Sequence, residues 1–436
     1  MNLQNGKPSD DELYREYELA GNHLSSNASA DSVSNCGLHL RPAGSVPSIR
    51  SVYTPRQNDV KSKSYLVGSP STGCGTLLGS KELSRIFPNH SVNVQIVTWN
   101  MNCPRVQQKY PEDLSDLIFP SSMNNSPSIF AICLQEIPPE KQELLVRLQA
   151  AIGPQHVLFS HAFHGTLALA VFISRELIWY TSVPQVSAVT TRTAVRTKGA
   201  VAMCFLLFGT SMLFLSSHFK ASQDRVNMRV QDYQDVVTSL NLPKIGLSRG
   251  YRPSENLLNR FDIVFWAGDL NFRIDRSRAV MDNVLRSYRP VCTYDNLSGA
   301  DQLTNVQAQG RAFQTFEEGR IKFLPTYKFD LDSTVYDTSD KQRVPAYTDR
   351  ILYKTRKKGD VTCANYDSID SIRCSDHRPV YGVYSVVLKP GCDSIALAAG
   401  LFHRDVYIAG NQRRALRFDL VRKSRKPTKS KVCLLQ

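Results

Sequence analysis

A chain of 436 residues, 42% hydrophobic and 21% charged, has the composition of a folded protein and room for one large domain with extensions or for two. Ten cysteines without a C-x-x-C pair argue against zinc-ribbon and disulfide-framework classes, and the longest apolar run (200–215), broken by Gly-Thr-Ser, is too short to span a bilayer. The formal net charge is +14, and ten Lys/Arg between Arg404 and Lys431, set against Asp405 and Asp419, place +8 of it near the C-terminus, a distribution that favours anionic membrane surfaces or nucleic acid.

The chain opens on MNLQNGKPSDDELYREYE, polar and acidic where a secretory leader would be apolar, so a cytosolic topology is expected. Residues 1–90 are rich in Ser, Asn, Gly and Pro without a sustained apolar period. This predicts a mostly disordered region, with a short helix near 10–20 and order starting near Val92. Short apolar runs then read as strands: VQIVTW (94–99), IFAICLQ (129–135), LALAVFIS (167–174), AVAMCFLLF (200–208), MLFLSSHF (212–219), DIVFWAGDL (262–270), RILYKT (350–355) and VYGVYSVVL (380–388). The turn FGTS joins the fourth to the fifth. Helical periodicity appears at 139–152 and at 224–240, where Val226, Val230, Tyr233 and Val237 share one face. Cys133 and Cys204 lie in apolar runs and read as buried thiols. An α/β domain over 91–392 is the reading, followed by a basic, helix-prone tail at 393–436.

Several of these strands end in polar groups able to do chemistry: Asn100 after IVTW, Glu136 after AICLQ, His218 in LSSHF, Asp269 and Asn271 after VFWA. Asp376 and His377 precede the last strand. Each alone is as well explained as a turn residue. Together, carboxylate and amide oxygens suit Mg²⁺, and two histidines with a second carboxylate suit metal-assisted hydrolysis. Asp376, next to His377, could orient its ring or stabilise its charged form. A cationic group is the other candidate. Lys328, Lys341, Arg343 and Arg350 lie around Tyr327 in one segment, and Lys198 precedes a glycine. This is either a solvated basic face or a clamp for a polyanion.

WAGDLNFR (266–273) and PAYTDRIL (345–352) resemble the two signature motifs of the inositol polyphosphate 5-phosphatases, with VTWNMN, CLQE, TKGA, SSHF and SDHRPVYG in that family's order. The resemblance runs over 92–410, and HGTLALAVFISRELIW and LAAGLFHRDVYIAGNQRR are most similar to its prenylated branch. It implies a four-layered α/β sandwich of two mixed sheets flanked by helices, DNase I-like in plan. It also implies Mg²⁺ on Glu136 with Asn100, an attacking water positioned by Asp269 and Asn271, and phosphate charge stabilised by His218 and His377, with Asp376 supporting His377. Tyr327, Lys328, Lys341 and Arg343 match positions that contact the 4-phosphate, and Lys198 and Arg350 join the substrate contacts.

The implied activity is Mg²⁺-dependent removal of the 5-phosphate from PI(3,4,5)P3, PI(4,5)P2 or PI(3,5)P2. Two other readings stay open: a phosphodiesterase of the same superfamily (nuclease or sphingomyelinase), and a non-catalytic phosphoinositide scaffold. The closing KVCLLQ makes Cys433 the cysteine of a prenylation pattern. A monomer is therefore expected, cytoplasmic and held peripherally on anionic membrane by a prenyl group and basic tail. Cilium and Golgi placement are implied by the resemblance alone. The tail holds few aromatics, which disfavours nucleic acid.

Overall fold

The structure, a computed structural model, describes residues 77–103, 110–121, 126–191, 198–242, 256–287, 293–392 and 395–424. The helix expected near 10–20 and Cys433 lie outside the described residues. The first sheet has the order β11 (Val361–Ser368), β12 (Val380–Val387), β1 (Ser91–Asn100), β2 (Ile129–Gln135), β4 (Leu167–Ser174), β3 (His156–His164). The second runs β5 (Gln185–Thr190), β6 (Gly199–Leu207), β7 (Thr210–His218), β8 (Ile263–Asp269), β10 (Asp349–Thr355), β9 (Glu317–Glu318). Both are mixed: β1 and β2 are parallel, as are β7 and β8, while the other pairs are antiparallel.

Strand alternation sorts the side chains into layers. Val94, Ile96, Ile129, Ala131, Phe214, Phe265 and Ile351 meet in one core between the sheets. The opposite face of the first sheet, with Trp99, Phe130 and Leu134, packs on the helix α2 (Lys141–Ile152). The opposite face of the second, with Leu213, Leu215 and Trp266, packs on the helix α3 (Val226–Ser239). Two sheets between helices make four layers, as expected, and the four apolar residues assigned to one face of α3 do lie against the core.

All eight anticipated strands form, and FGTS is the β6–β7 turn. Four further strands, β3, β5, β9 and β11, went unanticipated. Each is the outermost of its sheet, where one neighbour and less burial leave a weaker apolar pattern. Cys133 and Cys204 are buried, and burial pushes both thiols up to about 12.

The domain limits need correction at both ends. Leu77, Leu78 and Leu83 are buried in the central core, and α1 (Ser80–Ile86) ties in through Glu82, which accepts a hydrogen bond from Tyr180 Oη at 2.8 Å. The folded unit thus begins well before Val92. At the other end the helix α6 (Arg404–Ser424) is no free tail. Val406 is buried, Arg413 grips Glu143 of α2 at 2.5 and 3.0 Å, and Arg414 Nη1 donates to Ala150 O and Ala151 O at 2.8 and 2.9 Å. Those carbonyls are at the C-terminal end of α2, where a cation also complements the helix dipole. Two shorter helices, α4 (Arg278–Arg286) and α5 (Gln302–Ala308), complete the regular elements used below.

Candidate active site

Along each inner-facing row, apolar residues give way to polar ones at the same end of the sandwich. Val94 and Ile96 are followed by Thr98 and Asn100, Ala131 and Cys133 by Gln135, Phe214 by Ser216 and His218, and Phe265 and Ala267 by Asp269. Gln135 Nε2 donates to Thr98 Oγ1 at 3.3 Å and to Ser216 Oγ at 3.4 Å, forming a polar floor beneath the site. The register then aligns His218, Asp269 and Asp349 across three adjacent strands, β7, β8 and β10, so all three side chains leave the same face.

Asp269 is the centre of this row and is buried. Its Oδ2 accepts from Asn100 Nδ2 at 3.1 Å and lies 3.2 Å from His218 Nε2, while Oδ1 accepts the Asn271 N–H at 3.1 Å. Burial alone would raise its pKa, but contact with His218 and the charges of His377 and Lys198 hold it well below the usual carboxylate range. Asp269 is therefore a fixed anionic acceptor and a weak base. Asn271 takes a left-handed φ of 57° that turns the chain back beneath Asp269. Its Nδ2 donates to Phe219 O at 3.1 Å and its Oδ1 accepts from Arg273, leaving one amide N–H for a phosphate oxygen or a water. Just before Asp269, Gly268 has φ +148° and sits where any Cβ would strike Ser217 O at 2.0 Å, so the close pairing of β7 and β8 requires glycine here.

The two histidines are in opposite charge states. His218 is buried, and burial seconded by Lys198, whose Nζ lies against Nε2, holds it below the ordinary histidine range and so neutral. Lys198 itself is lowered by burial, in spite of Asp269 and Glu136. For His377 burial also opposes the charged form, but the Asp349 carboxylate outweighs it, with help from Asp269 and Asp376, and its pKa is raised to about 10. His377 Nδ1 sits 2.9 Å from Asp349 Oδ2, which also accepts from Thr326 and Thr348 hydroxyls at 2.9 Å. This leaves Nε2 of an imidazolium to meet a substrate.

Two expected roles change. Asp376 does not hold the His377 ring, although its charge does favour the imidazolium, as expected. Its carboxylate pairs with Lys328 Nζ at 2.9 Å, while Asp349 takes the orienting position from a strand 28 residues earlier. Nor is Arg350 a substrate contact. It is fully buried on the opposite face of β10 from Asp349, where it binds Asp301 at 2.8 Å, Glu318 at 2.5 and 2.7 Å, and Tyr294 Oη at 3.1 Å. Adjacent strand residues face opposite ways, so Asp349 and Arg350 could not both reach the site.

Asp349 and Arg273 were missed as site residues. Arg273 holds Asn271 and stacks its guanidinium 4.3 Å from the centre of the Tyr327 ring, whose other neighbour is His377 at 4.6 Å. Both residues sit inside the quoted motifs, PAYTDRIL and WAGDLNFR. Strand alternation applied to TDRIL was the available signal for Asp349.

The cationic loop holds Lys328, Lys341 and Arg343, without Arg350. Asp337 accepts the backbone N–H of Arg343 at 2.8 Å, and its own N–H donates to Lys328 O at 2.9 Å, pinning the Lys341–Arg343 segment beside Lys328. Arg278 of α4 braces it, donating to Asp337 O at 2.8 Å and Arg343 O at 3.2 Å. Lys341 and Arg343 are exposed, free to meet an anion, and Lys328 keeps its charge because Asp376 outweighs the cost of its burial.

Two oxygen sets could hold a metal. Donor atoms of Asp269, Asp349 and His377 lie within 4.8 Å of one another, but His377 Nδ1 and Asp349 Oδ2 already hold each other at 2.9 Å. Asn100 and Glu136 fit better. Asn100 pairs with Gln135 across the parallel β1 and β2, so Glu136 follows at once, turned by a φ of 50°. Its carboxylate is 30% exposed with His218 Nε2 at 3.9 Å, and Asn100 Oδ1 accepts the Asn102 N–H at 3.0 Å. One carboxylate and one amide oxygen are the donors a hard cation uses when it keeps waters and phosphate oxygens as its other ligands.

The chain matches the model of the endonuclease/exonuclease/phosphatase family 2 over residues 97–383. It is 42% identical over 363 residues to the mouse phosphatidylinositol polyphosphate 5-phosphatase type IV, a match that covers 82% of this chain and 55% of the mouse protein. The chain thus spans about half the length of that curated relative. It is 33% identical to the Arabidopsis type IV inositol polyphosphate 5-phosphatase 11, covering 66% of this chain and 80% of that protein. Among solved structures it is similar to the inositol polyphosphate 5-phosphatase domain of SPsynaptojanin in complex with inositol (1,4)-bisphosphate and calcium ion. That similarity has a TM-score of 0.59 and 26% identity, and covers 79% of this chain and 97% of the other.

Proposed function

The chain belongs to the endonuclease/exonuclease/phosphatase family 2 and, within it, to the inositol polyphosphate 5-phosphatases; on that premise we propose that it removes the 5-phosphate of phosphoinositides at a membrane surface with the help of Mg²⁺. The observation that carries this reading is the meeting of an anionic Asp269, a cationic His377 and the Asn100–Glu136 oxygens at one end of the sandwich, beside a loop of lysine and arginine.

Asn100 and Glu136 would hold the Mg²⁺, which when bound neutralises phosphate oxygens and makes phosphorus a better electrophile. Asp269 accepts a hydrogen bond from the attacking water and aims its lone pair at phosphorus, in line with the bond to the inositol 5-oxygen. A strong base is not required, because the transition state of phosphoryl transfer is loose and puts little demand on proton removal. His377 Nε2–H and the free N–H of Asn271, both shielded from water by burial, and the half-buried Lys198 supply donors to the phosphoryl oxygens. The P–O bond to inositol breaks, leaving inorganic phosphate and a lipid with a free 5-hydroxyl. Lys328, Lys341 and Arg343, with Tyr327, hold the neighbouring 4-phosphate.

A panel of phosphate-release assays tests this on the full chain. Release is expected from PI(4,5)P2 and PI(3,4,5)P3, none from PI4P, and none from any substrate with EDTA present. Nicking of plasmid DNA without phosphate release would establish the phosphodiesterase instead. In the same panel Lys341→Ala with Arg343→Ala should cost about 10²-fold on PI(4,5)P2 and only a few-fold on PI(3,5)P2, because charge-assisted contacts to a phosphate discriminate against its absence. Equal losses on both lipids would remove the 4-phosphate assignment.

The C-terminal Cys-Leu-Leu-Gln supports farnesylation of Cys433, with the basic segment as the second signal that a single lipid chain needs. Cys433→Ser should move the protein from the membrane to the soluble fraction of cells and leave hydrolysis of a short-chain lipid intact. Unchanged fractionation would refute the anchor.

A further inference from the structure

The cationic loop has two limbs. Arg278 braces the second, which carries Lys341 and Arg343. The first, which carries Tyr327 and Lys328, lies along the segment 373–378 that contains His377. Arg378 N–H donates to Thr326 O at 2.9 Å, Phe329 N–H to Asp376 O at 3.0 Å, and Asp332 N–H to Arg373 O at 2.8 Å. Tyr327 also pairs with His377 across an isolated antiparallel bridge. The limb then turns back on itself, with the Phe329 and Tyr336 rings stacked 4.3 Å apart at the base of the turn.

Arg378 joins the two segments with its side chain as well. The guanidinium is 2% exposed and lies 3.9 Å from the centre of the Phe329 ring. Its Nη1 donates to Ser375 O at 3.3 Å and its Nη2 to Ser333 O. One planar group thus ties the chain two residues before His377 to the turn of the limb that presents Lys328. Among the described residues it forms no ion pair, and burial lowers its pKa. A buried cation without a paired anion costs stability, so packing alone favours an apolar side chain of similar length here. What a guanidinium adds is two donors in fixed directions while its face stays on the ring.

We propose that Arg378 is a positioning residue for recognition of the 4-phosphate: it fixes the limb 326–336 against the segment 373–378, so that Tyr327 and Lys328 stand at a set distance from His377. Arg378 itself touches no phosphate. The inference rests on the reading of Tyr327, Lys328, Lys341 and Arg343 as the 4-phosphate subsite, and it adds a residue that acts through two of them. Action through His377 instead is separable, because the ring is held by Asp349 from β10 at 2.9 Å and not by Arg378.

The test compares Arg378→Met and Arg378→Lys with wild type in the full chain, and repeats Arg378→Met in a Lys328→Ala background. Methionine keeps the length and the contact with Phe329, and lysine keeps the charge without the fork. Phosphate release from short-chain PI(4,5)P2 and short-chain PI(3,5)P2 is measured as kcat and KM, with thermal unfolding alongside. Both variants should raise KM for PI(4,5)P2 about tenfold while kcat, and KM for PI(3,5)P2, change no more than about twofold. The alkaline limb near pH 10 should stay in place. In the Lys328→Ala background Arg378→Met should add less than about threefold, because two residues that act on one contact are not additive. Equal losses on the two lipids with lowered thermal stability in both variants would make Arg378 a residue of the fold and overturn the proposal. A fall in kcat with a shifted alkaline limb would place its action on His377 and overturn it too, as would full additivity with Lys328→Ala. An equal loss on both lipids from Lys328→Ala alone would refute the 4-phosphate subsite, and this proposal with it.

Discussion

Asp349→Asn should reduce turnover on the order of 10³-fold near pH 8 and move the alkaline limb of the rate profile from about 10 down to the neutral range. The reason is the pairing of a buried imidazole with a buried carboxylate. His377 titrates at about 10 because the stabilisation of its cation by Asp349 exceeds the cost of burying the charge. An amide fills the same space and can still meet Thr326 and Thr348, but it carries no counter-charge. Burial then acts without its main opponent, and the ring loses its proton at or below the ordinary histidine value.

The sign follows from which form works. The cation is the donor to phosphate, so activity is present below the pKa of His377 and lost as pH rises through it. Wild type should hold its rate from neutral pH to about 10, and the variant should recover part of its rate on acidification. A rate profile measured from acid pH, below the ordinary histidine value, to about pH 10, with thermal unfolding as a control for folding, decides the matter. An unshifted alkaline limb would show that His377 does not act as a cation.

Arg350→Met should leave 4-phosphate selectivity alone and lower folding stability by about 3–5 kcal/mol. The guanidinium joins Asp301 on the α5 side to Glu318 on β9 with no exposure to solvent. Removing it strands two carboxylates in a buried pocket, which costs far more than the net contribution of the intact pair. Adding Asp301→Asn and Glu318→Gln should restore part of the loss, since the uncompensated charges go with the arginine. Urea denaturation of the single and triple variants measures this. A single variant as stable as wild type, or one that loses selectivity for 4-phosphorylated lipids at unchanged stability, would return Arg350 to the substrate site.

Much of the molecule was legible in the sequence, unevenly and for identifiable reasons. The interior strands were plain because both faces are buried, so IFAICLQ and LALAVFIS have the same limits in sequence and in structure. The outer strands β3, β5 and β11 carry mixed patterns such as QVSAVT and VTCANYDS, which burial on a single flank allows. Composition also misplaced the start of the fold. The serine- and glycine-rich stretch before Val92 includes Leu77, Leu78 and Leu83, too few to make a period but enough to fill one corner of the core.

The sequence by itself determined which chemistry is present: amide and carboxylate oxygens, two histidines and a set of cations, each at the end of an apolar run or inside a motif. Those are local properties, carried by residue type and short spacing. Only the tertiary structure decided how the groups pair. Asp376 adjoins His377 in the chain yet binds Lys328, and Asp349 comes from another sheet to hold the ring. Arg350, next to Asp349, faces the other way into an ion cluster. Strand register and the two-residue alternation of side chains select these partners, and register depends on hydrogen bonds between segments far apart in sequence. The same holds for α6. Its basic composition was visible in the sequence, but its fixation to α2 through Arg413 and Arg414 was not.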